Sequence, residues 1–182
     1  MKVFQIGFNK TATMSLTKFF RDSGYKSVHG GKVFENFLMS NLRKGKKLCE
    51  SKDYITFWSD LNFLQRHFEV FAEQYPKAKF IYNYRPIDIW VTSRLNHYNK
   101  KQLDDIFIKK FKLNEYGVDL KSYWKSEWVL HDYKVKEYFV GKNADRVLFF
   151  DITKDGEKEL KRFLPELKFN KPYQHIHKTR KK

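Results

Sequence analysis

Apolar positions fall into short runs separated by stretches of helical periodicity. Lys2 to Ile6 (KVFQI) is a compact run with β-branched and aromatic residues, which predicts a buried strand. Gly7 to Ser15 follows with no apolar period. From Ser15 the pattern turns helical: Leu16, Phe19 and Phe20 fall at i, i+3 and i+4, and Gly24 is placed for a left-handed C-terminal cap. Tyr25 to Val28 predicts a second strand ending at His29-Gly30-Gly31, and Val33 to Leu42 a second helix. Lys44 to Lys47 is an exposed turn. Asp53 to Trp58 (DYITFW) predicts a third strand that delivers Ser59-Asp60 at its carboxyl end. Leu61 to Gln74 predicts one amphipathic helix, with Leu61, Leu64, Phe68 and Phe71 on its apolar face.

Lys79 to Tyr84 (KFIYNY) predicts the fourth strand, and Pro86 opens a helix that runs to about Tyr98. The lysine-rich stretch Lys100 to Tyr116 predicts a helix plus a loop, and Ser122 to Phe139 a long helix. Arg146 to Phe150 (RVLFF) predicts a fifth strand and Gly156 to Leu164 the last helix; the basic tail, Lys168 to Lys182, reads as extended. Five short strands alternating with helices predict a single-domain α/β fold over residues 1–182, a parallel β-sheet of about five strands covered on both faces. Ligands of such sheets gather at the carboxyl ends of the strands. Lys10 to Ser15, Ser59-Asp60 and Arg85 all fall there, so three strands point polar chemistry at one crevice.

Composition narrows the partners. The 182 residues suit one domain, the 18% aromatic content predicts a core built on rings, and a formal charge of +16 favours polyanions. A lysine-rich surface that only keeps the chain soluble accounts for the same charge. The single cysteine, Cys49, excludes an internal disulfide and disfavours a thiolate metal site. The six histidines show no H-x-x-x-H or H-E-x-x-H spacing. The first strand begins at the amino terminus and no apolar run approaches ~20 residues, so the expectation is a cytoplasmic protein with neither signal peptide nor membrane span.

The stretch from Gly7 to Ser15 carries the candidate chemistry. A strand, a tight polar loop and a helix together aim backbone N–H groups and the positive end of a dipole at one point, which suits a phosphate. Lys10 adds a full charge, and Thr11, Thr13 and Ser15 add hydroxyls. The plainer alternative is a helix capped by Thr11 or Thr13, with Lys10 in solvent. The loop is not a Walker A sequence, because Gly7 is its only glycine and Lys10 comes early, with T-A-T-M-S behind it. A second anion site is suggested by Arg85 with Ser93 eight residues on, in R-P-I-D-I-W-V-T-S. The alternative there is a structural Arg85–Asp88 pair.

Both stretches resemble the PAPS-dependent sulfotransferases. Asn9-Lys10-Thr11-Ala12-Thr13-Met14-Ser15-Leu16 is similar to the family's 5′-phosphosulfate loop, K-[ST]-G-T-x-[SW]-L, with Ala12 where the family usually has glycine. Arg85 and Ser93, with Y-P-K-A-K-F-I before them and Trp90 between, resemble the 3′-phosphate motif of bacterial and carbohydrate-type members. Here Pro86 follows Arg85 directly, where many members have one residue between. The tail N-K-P-Y-Q-H-I-H-K-T-R resembles a segment that folds back on the nucleotide, which would recruit Lys178 or Arg180. The resemblance implies a P-loop-like fold and transfer of a sulfuryl group from PAPS, leaving adenosine 3′,5′-bisphosphate, with no metal required. The donor would be bound by Asn9 to Ser15 at the 5′ end and by Arg85 and Ser93 at the 3′ end. Lys10 would neutralise the leaving oxygen.

The acceptor, a hydroxyl or amine, needs a base. Asp60 is the first candidate, since related enzymes often keep a histidine or acid past that strand. The alternative role for Asp60 is an N-cap for the helix after it. Glu35 is the second candidate, placed about where several carbohydrate members have a glutamate, and His29 the third. Trp124 and Trp128, four apart, either floor an acceptor site or pack in the core. The basic surface hints at an anionic glycan or small molecule as acceptor, and no specific nucleic acid is expected. Two rivals are a P-loop small-molecule kinase using ATP-Mg, with Asp60 on the metal, and a non-enzymatic nucleic-acid-binding module. The kinase lacks its G-K-[ST], and the module lacks an RNA-recognition, helix-turn-helix or zinc signature.

Overall fold

The computed structural model describes residues 1–99, 106, 108, 109 and 111–174. Two compact units result: Met1–Tyr84 with Gly141–Lys182, and Arg85–Val140.

The first unit carries the whole sheet. Its strands are β1 (Val3–Gln5), β2 (Ser27–His29), β3 (Phe57–Ser59), β4 (Lys79–Tyr84) and β5 (Val147–Asp151), all parallel in the order β2-β3-β1-β4-β5. Its helices are α1 (Thr13–Asp22), α2 (Lys32–Arg43), α3 (Asn62–Arg66) and α4 (Phe68–Gln74), followed after the second unit by a 3-10 turn (Gly141–Arg146) and later by a helix at Glu157–Phe163. The expected strands and helices are present with shifted ends. The third strand begins late because Ile55 N–H closes a turn on Lys52 O at 3.1 Å. The helix expected over Leu61 to Gln74 is two helices, because His67 leaves the helical region at φ −128, ψ 35 and lays its ring 4.8 Å from that of Phe63. Leu61, Leu64, Phe68 and Phe71 are all fully buried, so their spacing gave no sign of the break.

Neighbouring residues of one strand serve opposite faces. Val3, Phe57, Ile81 and Phe150 pack with Leu16, Phe19 and Phe20 of α1 and with Leu160 and Leu164. The Phe20 and Phe57 rings stack at 4.0 Å. Phe4 turns the other way, to Phe71 at 5.0 Å and Tyr75 at 5.7 Å, and Trp58 meets Phe34 of α2 at 6.1 Å. Each such ring contributes roughly 1.5–3 kcal/mol by leaving water. With β1 in the centre, its chain leaves by α1 for β2, whereas β3 leads away to β4 beyond β1. A crevice at the carboxyl ends of adjacent strands whose chains depart in opposite directions is where such sheets bind ligands.

The second unit contains α5 (Ile87–Asn99) and α6 (Leu120–Tyr138). It is held by Arg94, whose buried guanidinium lies 4.5 Å from the Trp124 ring, 5.0 Å from that of Trp90 and 5.7 Å from that of Tyr98. Trp124 is fully buried, which makes it a core residue, while Trp128 is half-buried. Residues 100–105, 107 and 110 of the helix and loop expected at Lys100 to Tyr116, and the end of the tail with Lys178 and Arg180, lie outside the described residues. Among the described residues, no helix is long and apolar enough to cross a membrane.

Candidate functional site

The loop after β1 is shaped by backbone conformation. Lys10 (φ 65) and Ala12 (φ 63) are left-handed, and Thr11 between them is not. Alternating hands turn successive N–H groups to one side and make an anion-binding concavity. Each left-handed non-glycine residue costs roughly 1–2 kcal/mol, so the surroundings must hold the loop in place. Ala12 is also the N-cap of α1, with no side-chain cap. This corrects the expectation that Thr11 or Thr13 caps the helix. Thr13 is the first helical residue, and Thr11 is committed elsewhere.

Thr11, Thr13 and Ser15 are buried at 1%, 5% and 1% exposure, whereas Met14 is exposed and Asn9 and Lys10 are half-buried. Thr11 Oγ1 donates to Phe8 O within the loop. Thr13 Oγ1 lies 3.3 Å from His29 Nε2 at the end of β2. Tyr173, from the segment after the last helix, has its phenol pushed up to about 12 by burial, with the Ser15 hydroxyl pulling it back.

Two residues that the sequence did not flag hold this loop from beneath. Gln5, fully buried in β1, donates through Nε2 to Gly7 O and to Asn83 Oδ1. Its Oε1 accepts from Asp60 N–H at 2.9 Å and from Ser59 Oγ at 3.3 Å. Asn83, fully buried in β4, donates through Nδ2 to Thr11 O and, at 2.8 Å, to Thr11 Oγ1. The available signal was a carboxamide inside each of two otherwise apolar strands, KVFQI and KFIYNY. Gly7 is equally constrained, since a Cβ there would sit 1.8 Å from Asn83 O.

The candidate bases separate by geometry. Asp60 stands directly after β3 in the left-handed region (φ 56), and its carboxylate lies 3.7 Å from His29 Nε2. Burial pushes the Asp60 carboxyl above the ordinary carboxylate range, while the charges of His29 and Lys10 pull it down. Asp60 is not an N-cap: Leu61 holds that position, without a side-chain cap. The capping is done by Glu35 of α2, whose two carboxylate oxygens accept from Asn62 N–H and, at 3.1 Å, from Phe63 N–H. Lys10, Thr13, His29 and Asp60 are thus gathered, with Glu35 engaged on a helix end.

In the second unit, Arg85 directly precedes Pro86 at the head of α5, half-buried, and burial lowers its pKa from the ordinary guanidinium value. Asp88 does not serve as its partner as one alternative supposed, because it pairs with Lys125 at 2.7 Å. Ser93 is half-buried within α5. Cys49 is a core residue with its thiol pushed up to about 12 by burial, which keeps it protonated and inert.

Sheet order, loop and polar cluster define an α/β protein with an anion-suited loop at the carboxyl end of its central strand. Residues 2–181 match the family model described as sulfotransferase domain, and the chain belongs to that family, whose general activity is sulfuryl transfer. No curated protein matches the sequence.

Proposed function

We propose that the protein transfers the sulfuryl group of PAPS to a hydroxyl or amine acceptor by in-line displacement. The observation that carries this reading is the loop from Gly7 to Thr13, with its left-handed Lys10 and Ala12, together with the Asp60–His29 pair at the ends of β3 and β2. The 5′-phosphosulfate would lie on the N–H groups of Lys10 to Thr13 and on the hydroxyls of Thr13 and Ser15. In the reaction the bond between sulfur and the bridging phosphate oxygen breaks as the acceptor oxygen or nitrogen bonds to sulfur. Lys10 neutralises the charge gathering on the departing oxygen, and the acceptor's proton passes to the Asp60 carboxylate. Burial raises the Asp60 carboxyl above the ordinary carboxylate range, which makes its carboxylate a stronger base than a solvated one. Arg85 and Ser93 carry the motif that the sequence resemblance assigns to the 3′-phosphate. The charge of +16 favours an anionic acceptor such as an acidic glycan.

Thermal-shift titration with adenosine 3′,5′-bisphosphate in the absence of Mg²⁺ is the first test. Saturation at a hundredfold excess over Kd corresponds to about 2.7 kcal/mol of stabilisation. Stabilisation only by ATP with Mg²⁺ would overturn the reading in favour of a kinase. Lys10→Ala should lower transfer from labelled PAPS by roughly a hundredfold or more without unfolding the chain, and undiminished turnover refutes its role.

A further inference from the structure

Gln5 and Asn83 form a continuous chain of hydrogen bonds inside the sheet. It runs from Asp60 N–H to Gln5 Oε1, from Gln5 Nε2 to Asn83 Oδ1, and from Asn83 Nδ2 to Thr11 O. It spans the carboxyl ends of three adjacent strands, β3, β1 and β4. A branch from Gln5 Nε2 reaches Gly7 O, so the loop is gripped at its first residue and again at Thr11.

The direction of this chain is unambiguous. Asp60 N–H can only donate, and the carbonyls of Gly7 and Thr11 can only accept. Turning the Gln5 amide over would set its NH₂ against the Asp60 N–H and its oxygen against Gly7 O. Turning over Asn83 would likewise set oxygen against the Thr11 carbonyl. Both hydrogens of Gln5 Nε2, both acceptor positions of its Oε1 and both hydrogens of Asn83 Nδ2 are used. A fully satisfied network buried at 0% exposure has one arrangement and resists displacement.

A strand centre filled by two aliphatic residues would pack as well but would strand these loop carbonyls and the Asp60 N–H, each at a cost of roughly 1–3 kcal/mol. Both tethered segments are also strained: Lys10, Ala12 and Asp60 are the left-handed non-glycine residues of the loop and the β3 end. The side-chain amides add a tether at the Asp60 N–H and at the Thr11 carbonyl, just beyond the ends of β3 and β1.

We propose that Gln5, acting through Asn83, is a positioning residue that fixes the Asp60 carboxylate at a set separation from the phosphosulfate loop. This rests on the donor reading given above. Neither amide touches the reacting atoms. Their effect is to keep base and leaving-group site in register, where a displacement of about 1 Å can cost on the order of a hundredfold in rate.

The test uses the full chain and Gln5→Met, which keeps length and volume but removes every hydrogen bond. Two quantities are read. One is the titration of the Asp60 carboxyl by carbon NMR, assigned by its disappearance in Asp60→Asn. The other is the affinity for adenosine 3′,5′-bisphosphate by calorimetry. Gln5→Met should move the Asp60 midpoint back toward the ordinary carboxylate range and weaken the bisphosphate about tenfold. An unmoved Asp60 titration in a folded Gln5→Met protein overturns the proposal, and so does unchanged affinity, because either result cuts one end of the tether. No bisphosphate binding by the parent chain would refute the donor reading and the bridge's catalytic meaning with it. Binding by the parent with an unmoved Asp60 in the variant refutes the bridge alone. If Gln5→Met does not fold by circular dichroism, Gln5→Asn, whose neutral amide is one methylene too short to bridge Asp60 N–H and Asn83, replaces it with the same outcomes.

Discussion

The Asp60 carboxylate lies 3.7 Å from His29 Nε2, at the end of a strand whose last step forces Asp60 into the left-handed region. Burial raises the folded-state pKa of that carboxyl above its unfolded value, so folding favours the protonated form. The stabilising contribution is therefore complete below the ordinary carboxylate range and is lost as pH rises through the raised folded value. Asp60→Asn, neutral and tolerant of the left-handed region, should raise the melting temperature near neutral pH and leave it unchanged in acid. The same variant should lose roughly 10²–10⁴ in sulfuryl transfer. A variant that keeps its turnover and is no more stable near neutral pH would contradict both statements.

Glu35 is expected to behave in the opposite way. Its carboxylate accepts from the Asn62 and Phe63 amides and so substitutes for the absent side-chain cap of α3. Glu35→Ala should cost about 1 kcal/mol in denaturant unfolding, the usual magnitude of a lost cap. Turnover per folded molecule should change less than threefold. A hundredfold loss with undiminished stability would instead return Glu35 to the role of base.

How far the site could be read from the sequence depends on whether a residue's role is local. The strand and helix around Gly7 to Ser15 were legible, because a run of apolar residues, a polar gap and an i, i+3, i+4 stripe are all local patterns. The left-handed state of Ala12 was not, since alanine advertises none. Asp60 and His29 could be placed at strand ends, but their 3.7 Å approach follows from β2 pairing with β3, and that pairing is set by the strand order. Gln5 and Asn83 were not flagged, because their partnership spans 78 positions and requires β1 beside β4. Glu35 illustrates the same limit: nothing local announces that its carboxylate accepts from amides 27 and 28 residues on.

The loop's two small residues should respond to substitution in opposite directions. At Gly7 an added Cβ would lie 1.8 Å from a backbone oxygen, which no side-chain adjustment can relieve. Gly7→Ala should cost roughly 3 kcal/mol or more and yield little folded protein. At Ala12, with φ 63 and ψ 28, the Cβ is itself the source of strain. Ala12→Gly should raise stability by up to about 1 kcal/mol and tighten adenosine 3′,5′-bisphosphate binding, as read by thermal shift and calorimetry. A destabilised Ala12→Gly protein would show that chain entropy outweighs the strain at this position.

The helix that presents the loop is braced by the far end of the chain. Phe169 stacks on Phe19 at 4.4 Å and meets Phe20 edge-on at 5.3 Å, while Tyr25 OH accepts from Lys168 N–H at 2.7 Å. Tyr173 continues the contact, edge-on to Phe19 at 5.7 Å, with its N–H bound to Glu157 at 3.0 Å. These residues cover the side of α1 opposite the solvent, so removing the Phe169 ring leaves a void against two aromatic residues. Phe169→Ala should cost about 3–5 kcal/mol in denaturant unfolding. Amide exchange should rise in Thr13–Asp22 more than in β4, because the brace acts on α1 first. Phe169→Leu, which restores most of the buried volume, should recover the larger part of that loss. A cost below about 1 kcal/mol for the alanine variant would mean that α1 holds its position without the tail.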